Sequence, residues 1–262
     1  MNMFLKKVLV LFLFLFFVNY NLTSYASGNT FYGDSGAISS PTAEMKDRQF
    51  DIGLSYMKGE RSYLRTGIPN LIYSFSINLI PRVEVGLSYN QMFTGNQDSD
   101  NPYLKNSSFD RSAFAKIQIL DESNFIPAMA LGGRDLFSNS VVNYRGPLLT
   151  SYQQSFYGVL GKKIYDFELN LGYAYSPSKP ISFGKTNNQD AELVFANSFR
   201  LNGIFASIET PKLLNYFSGI FEYDTKYLNY GVHFSNFYGI DLKAVMIDVS
   251  NFNIKLSFNN RI

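Results

Sequence analysis

The chain has 262 residues, a formal net charge of +2, only 17% charged residues, 17% aromatic residues and no Cys. An ordinary soluble domain carries roughly 25% charge, so a water-facing protein this poor in charge and rich in rings would tend to aggregate. The charge balance leaves no footprint for nucleic acid. The lack of Cys excludes disulfides, thiolate metal sites, thiol nucleophiles and a lipid anchor on Cys.

The chain opens on Lys6 and Lys7, continues in the apolar run VLVLFLFLFFV over 8–18, and reaches Ser24-Tyr25-Ala26. This is the tripartite pattern of a secretory signal peptide, too short in its apolar part for a membrane span. Residues 1–26 are therefore expected to be a signal peptide, removed after export through the inner membrane. Beyond it, no apolar stretch is long enough to span as a helix, and mean hydropathy is near zero. Alternating strands average to that value, whereas a bundle of membrane helices does not. Residues 27–47 form an N-terminal segment expected in the periplasm or the lumen. Its Gly-rich part, Gly33 to Ala43, reads either as a lumen plug or as a mobile entry strap.

From residue 48 onward, period-two alternation dominates. Phe50, Ile52, Leu54 and Tyr56 alternate with Asp51, Gly53 and Ser55, and Val83, Val85, Leu87 and Tyr89 with Glu84, Gly86, Ser88 and Asn90. Phe167 to Tyr175, Ile240 to Met246 and Phe252 to Phe258 repeat the pattern. The pattern predicts ~12 strands, near 48–58, 71–80, 83–93, 111–120, 125–136, 151–162, 167–176, 199–208, 217–224, 228–235, 240–248 and 252–258. Around Phe156 to Leu160 and Asn202 to Ile208 both faces look apolar or small, and no inward side is assigned.

Links after even-numbered strands are mostly short, such as Pro81-Arg82, Asp121 to Asn124 and Lys163 to Asp166. The early links after odd-numbered strands are longer and polar: Gly59 to Asn70, Thr94 to Asp110, Phe137 to Thr150 and Pro177 to Ser198. An outer-membrane barrel with periplasmic termini has that asymmetry. The later links, such as Thr225 to Tyr227, depart from it. The fold expected over 48–262 is all-β: an antiparallel transmembrane β-barrel of outer-membrane type, in a bacterial outer membrane. Phe252, Ile254, Leu256 and Phe258 resemble the terminal strand that barrel assembly machinery recognises, although Asn259 to Ile262 follow it. Outer-membrane lipid and that machinery are the expected partners.

Three stretches resemble the YjbH/GfcD family of outer-membrane proteins tied to exopolysaccharide and capsule production. The first is GDSGAISSPTA over Gly33 to Ala43, running into the strand QFDIGLSY. The second is DRSAFAKIQILDESNFIPAMALGGRD over Asp110 to Asp135. The third is FEYDTKYLNYGV over Phe221 to Val232. Larger family members are lipoproteins more than twice this length, and this chain has no Cys. The resemblance implies a role in export or assembly of surface polysaccharide, with a polysaccharide chain or export proteins as further partners. It implies no catalytic residue.

Enzyme motifs are absent: no Gly-x-Ser-x-Gly, His-Glu-x-x-His or phosphate loop occurs, and the chain has one His. No enzyme activity, cofactor or metal is expected. The informative residues are charges on polar phases of their strands. Glu84, Lys116, Arg134, Glu168, Glu222, Asp224, His233, Asp241, Lys243 and Lys255 are expected to face the lumen. Mixed signs there either pair with one another, in a narrow or plugged barrel, or line a path for a polar chain. Arg134-Asp135 falls at the outer rim, as a salt bridge or a glycan contact. Tyr56, Tyr73, Tyr89, Tyr173, Tyr175 and Tyr223, near strand ends, read as an interfacial girdle. The alternatives to a polysaccharide role are a small-solute porin-like channel and a structural or adhesin-type protein acting through its loops.

Overall fold

In the computed structural model, which describes residues 29–45, 49–57, 70–92, 108–136, 154–177, 201–237, 239–248 and 251–261, the alternating runs become twelve strands. In chain order they are β1 (Gln49–Met57), β2 (Asn70–Ile80), β3 (Val83–Met92), β4 (Ser108–Leu120), β5 (Ala128–Arg134) and β6 (Ser155–Ile164). β7 (Phe167–Tyr175), β8 (Gly203–Glu209), β9 (Phe217–Tyr223), β10 (Leu228–Phe237), β11 (Ile240–Ile247) and β12 (Asn251–Arg261) follow. Each pairs antiparallel with its chain neighbours, and β1 pairs with β12 from Gln49↔Arg261 to Tyr56↔Ile254, which closes the barrel. Closure leaves no sheet edge, the condition for a β-structure in lipid.

The burial pattern is inside-out relative to a soluble domain. Ile52, Leu87, Leu171, Ile204, Phe221, Leu228 and Phe252 are exposed on the outer face. Asp51, Ser55, Glu84, Asn170, Glu222, Asn253 and Lys255 are buried on the inner one. Tyr73, Tyr173, Tyr175 and Tyr223 are exposed on the outer face near one end of the barrel, and Tyr56 and Tyr89 are half-buried there. Tyr73 and Tyr89 are cross-strand partners with ring centroids 6.3 Å apart.

The end carrying Gln49 and Arg261 is called the terminal end here, and the opposite one the loop end. Links at the terminal end include two-residue turns, with 121–127 and 210–216 longer. Pro81-Arg82 has Arg82 at φ 68°, and Tyr165-Asp166 has both residues at positive φ (49° and 65°), as a two-residue hairpin turn of primed type requires. Links at the loop end include 58–69, 93–107, 135–154 and 176–202, with 224–227 and 248–250 short.

Several boundaries differ from the sequence expectation, among them the start of β6 at Ser155 and of β8 at Gly203, and two of the differences are explained by local bonding. β5 starts at Ala128, because Pro127 has no N–H to give a ladder and Ser123 N–H already bonds the Ile126 carbonyl in a turn. β12 continues to Arg261, so the residues after Phe258 are the ones that pair with the start of β1.

The two strands without an assigned face are resolved by glycine. Inward Tyr157 of β6 lies across from Gly132, and inward Phe205 of β8 across from Gly172. A Cβ on Gly132 would lie 2.5 Å from the Tyr157 ring, and one on Gly172 would collide with Phe205. Phe114 sits against Gly86 in the same way. Tyr157, Phe205 and Phe114 turn into the lumen where the neighbouring strand has no side chain.

Candidate functional site

Residues 29–43 lie inside the barrel, every one of them buried. This segment, referred to as the strap, forms no strand of the wall. The segment folds on itself through short backbone bonds, including Phe31 N–H to the Ile38 carbonyl at 2.8 Å and Ala37 N–H to the Ser40 carbonyl at 3.0 Å. Two glycines permit this fold. Gly33 has φ 108°, and a Cβ there would lie 2.7 Å from Ser74 Cβ; a Cβ on Gly36 would strike the Ser40 carbonyl and Thr30.

A buried backbone must place its remaining N–H and C=O groups, each costly if left unmade. Charged wall side chains do so here, sorted by sign. Glu222 accepts from the N–H groups of Ile38 (2.9 Å), Ser39 (2.9 Å) and Ser40 (2.8 Å), and from Ser39 Oγ at 2.5 Å. Glu84 accepts from Ser35 N–H at 2.9 Å. Lys243 donates to the carbonyls of Asn29, Gly36 and Ala37, and Lys255 to that of Thr30 at 2.7 Å. Lys116 donates to the carbonyls of Ser35 and Thr42, and lies 3.3 Å from Glu84. Asn170 Oδ1 receives Ala43 N–H at 3.1 Å.

One wall-to-strap contact is bidentate and joins two side chains. Arg134 donates to both oxygens of Asp34, Nε to Oδ2 at 2.9 Å and Nη2 to Oδ1 at 2.8 Å, and through Nη1 to the Ser39 carbonyl at 2.6 Å. Its guanidinium lies 5.3 Å from the Tyr32 ring centroid and 5.9 Å from that of Tyr157, whose hydroxyl donates to Asp34 Oδ2 at 3.2 Å. Thr30 Oγ1 donates to Asp34 Oδ1 at 2.6 Å. Complete burial pushes the Asp34 carboxyl up, but the charge and hydrogen bonds of Arg134 and the Thr30 hydroxyl prevail, holding it below its ordinary value. Arg134 thus pairs with Asp34 of the strap.

Glu44 marks the strap's exit at the terminal end, 2.8 Å from Lys163, while Lys162 holds Glu122 at 3.2 Å. Partial burial, with Glu122 nearby, pushes the Glu44 carboxyl up despite Lys163.

All ten charges placed on the lumen phase are buried. Glu84, Lys116, Arg134, Glu222, Asp224, Lys243 and Lys255 converge on the strap, Asp224 through Ser39 Oγ at 3.2 Å. Glu168, His233 and Asp241 group on the β7–β11 wall. His233 Nδ1 lies 2.9 Å from Glu209 Oε1, which also accepts from Ser218 Oγ at 2.5 Å. His233 Nε2 lies 3.8 Å from Asp241. Glu168 stands opposite Glu209 across β7 and β8. Glu209 Oε2, His233 Nε2 and Ser235 Oγ have no hydrogen-bond partner.

Sequence reasoning did not single out Asp34, Ser39, Tyr157, Asn229 or Glu209. Asp34 and Ser39 lie in a segment without periodicity, and Glu209 stands one residue past the predicted end of its strand. The three stretches quoted above meet at one place: Asp34 and Ser39 from the first, Lys116 and Arg134 from the second, Glu222, Asp224 and Asn229 from the third. Residues 1–28 and most of the loop-end links lie outside the described residues, among them the expected signal peptide. No group of three or more His, Asp or Glu that could hold a metal occurs among the described residues.

Comparison with known proteins gives three results. The sequence model of the YjbH family, described as exopolysaccharide biosynthesis protein YbjH, matches residues 28–210. The uncharacterized lipoprotein YjbH of Escherichia coli (strain K12) is 26% identical over 147 residues, covering 55% of this chain and 18% of that protein. The chain therefore spans under a fifth of that relative's length. Among solved structures, a KdgM porin matches 82% of this chain and 99% of its own (TM-score 0.45, 9% identity). Outer membrane phospholipase A from Escherichia coli matches 82% and 91% (TM-score 0.37, 10% identity).

Proposed function

From the premise that this chain belongs to the YjbH exopolysaccharide biosynthesis protein family, we propose that it is a non-enzymatic barrel of the bacterial outer membrane that supports export or assembly of a surface polysaccharide. One observation carries the reading. The three family-like stretches converge on a strap inside the lumen, so the resemblance is concentrated where a polar chain would have to pass. Seven of the ten inward charges are engaged by that strap, which favours a gated or scaffolding role over a standing pore. A small-solute channel would need a lumen clear of residues 29–43.

The non-enzymatic part of the proposal is supported by the setting of His233, buried between Glu209 and Asp241 on the wall, with Ser218 bonded to Glu209 and not to the imidazole. Among the described residues, no hydroxyl is hydrogen-bonded to that ring as a base-activated nucleophile requires.

The test is deletion of the gene followed by quantification of cell-surface polysaccharide. The expected result is reduced amount or altered chain length; unchanged values for both would sink the proposal. The placement predicts heat-modifiable gel mobility and fractionation with outer membranes, and recovery from the soluble periplasm would contradict it.

A further inference from the structure

The strap is held by groups that a glycan could use equally well. If it left the lumen, Arg134 would lose its hydrogen bonds to Asp34 and Ser39, Lys255 its bond to Thr30, and Glu222 its bonds to Ile38, Ser39 and Ser40, keeping Asn229. Buried charges stripped of partners are costly, so a displaced strap calls for a replacement of matching chemistry. The chemistry is legible in what the strap supplies. At Arg134 it supplies a carboxylate, gripped by a planar fork and a tyrosine hydroxyl that both belong to the wall side of the contact. At Glu222 it supplies a hydroxyl. The two points are adjacent, because Arg134 also reaches the carbonyl of Ser39, whose hydroxyl Glu222 accepts. A carboxylate and a hydroxyl a short distance apart are the polar features of a uronic acid. A guanidinium fork beside an aromatic ring suits the first, and a carboxylate acceptor the second.

We propose that Arg134 and Tyr157, with Glu222 beside them, form a subsite for a uronic-acid residue of an acidic glycan. The strap occupies it in the resting barrel, Asp34 in place of the sugar carboxylate and Ser39 in place of a sugar hydroxyl. This rests on the polysaccharide reading above and names its substrate class. The strap is tethered to β1 through a short link, which gives it an effective local concentration of about millimolar or more. A monosaccharide therefore competes poorly, and an oligomer that meets several wall charges at once competes well.

The chain has no Cys, so one introduced thiol reports on the strap alone. Ala37 is buried within it. In the purified full-length protein carrying Ala37→Cys, maleimide labelling is slow when the strap is seated. Adding a uronic-acid oligomer is expected to accelerate labelling about tenfold or more, as ligand linkage to the strap-free state requires. A neutral malto-oligosaccharide, and inorganic phosphate at equal ionic strength, are expected to leave the rate unchanged. Arg134→Gln in the same background raises the starting rate and abolishes the response to the oligomer. No acceleration by the uronic-acid oligomer overturns the proposal, as does equal acceleration by the neutral oligomer or by phosphate. Should Ala37→Cys fail to give a heat-modifiable barrel, hydrogen exchange of the Ile38 to Ser40 amides in the unaltered protein is read with the same additions and judged by the same outcomes. Strap displacement without any polysaccharide defect on gene deletion would retain the subsite and remove the cellular role. A polysaccharide defect without displacement would do the reverse.

Discussion

The lumen holds two groups of buried charge that look alike in sequence and differ in their setting. Around the strap, Arg134, Glu222, Glu84 and Lys116 each meet strap atoms of complementary sign or polarity. On the β7–β11 wall, His233 and Glu209 meet each other, and Glu209 Oε2, His233 Nε2 and Ser235 Oγ make no hydrogen bond. The first group binds the strap's backbone and its one carboxylate; the second ties wall to wall. The difference teaches that an inward charge in this barrel has one of two jobs, seating the strap or bracing the strands. The two jobs separate under mutation.

The largest effect is expected at Arg134. Arg134→Ala leaves Asp34 a fully buried carboxylate without its fork, a loss of about 3–5 kcal/mol for a broken buried pair. The readout is the amide exchange of Ile38 to Ser40, which should rise sharply while the barrel keeps its heat-modifiable mobility. Asp34→Ala added to Arg134→Ala should cost much less than the sum of the two single changes, since one interaction is being removed twice. Additive losses would mean that the pair is not coupled. Gly33→Ala should cost about 1–3 kcal/mol through its positive φ, with the same loosening of the strap.

A change in the bracing group should leave the strap alone. His233→Gln removes the imidazole from Glu209 and should lower barrel stability by about 1–3 kcal/mol, the cost of a buried group left unsatisfied. Amide exchange in the strap should not change. If the strap loosens as much as in Arg134→Ala, the two groups are one network and the division drawn here fails.

These two groups also show what the sequence could and could not disclose. Period-two alternation placed Glu84, Glu222 and Lys255 on one phase because the strands have one lipid face and one polar face, so the barrel and its strand number were readable from pattern alone. The inward faces of β6 and β8 were not readable within their own strands, since Tyr157 and Phe205 look like lipid-facing residues. The signal lay across the hairpin, in Gly132 and Gly172, which make room for them. The strap gave no periodic signal at all. Its conformation is set by turns and by wall charges 49 to 225 residues distant along the chain, such as Glu84 for Ser35 and Lys255 for Thr30. Alternation gives a side chain's direction but not its partner.

Acidity should release the strap from one side only. Asp34 titrates below its ordinary value in the folded chain, so its contribution is fully present above the unfolded carboxylate value of about 4 and is lost as pH falls through the depressed folded value. Strap exchange should therefore be flat, so far as Asp34 governs it, from neutral pH down to about 4, and rise below that. A rise already complete at pH 6 would show that Asp34 is not the group that seats the strap.

The smallest effect is expected from a pair with the same chemistry in a different place. Arg82 and Asp121 form an ion pair at the terminal-end turns, with side chains 53% and 58% exposed. Like Arg134 and Asp34, they are a guanidinium and an aspartate carboxylate in direct contact. There, however, water solvates both partners when the pair opens, and holding two exposed side chains costs entropy that the weak attraction barely offsets. Arg82→Ala should change barrel stability by about 0–1 kcal/mol, and less in high salt. Measured beside Arg134→Ala, it separates the pair from its setting. If Arg82→Ala proved as damaging as Arg134→Ala, burial would not be what makes the strap contact strong. A near-zero value beside a loss of several kcal/mol would trace the strap's seat to the dry lumen around Arg134, since the same two side chains in water at the rim would then hold nothing.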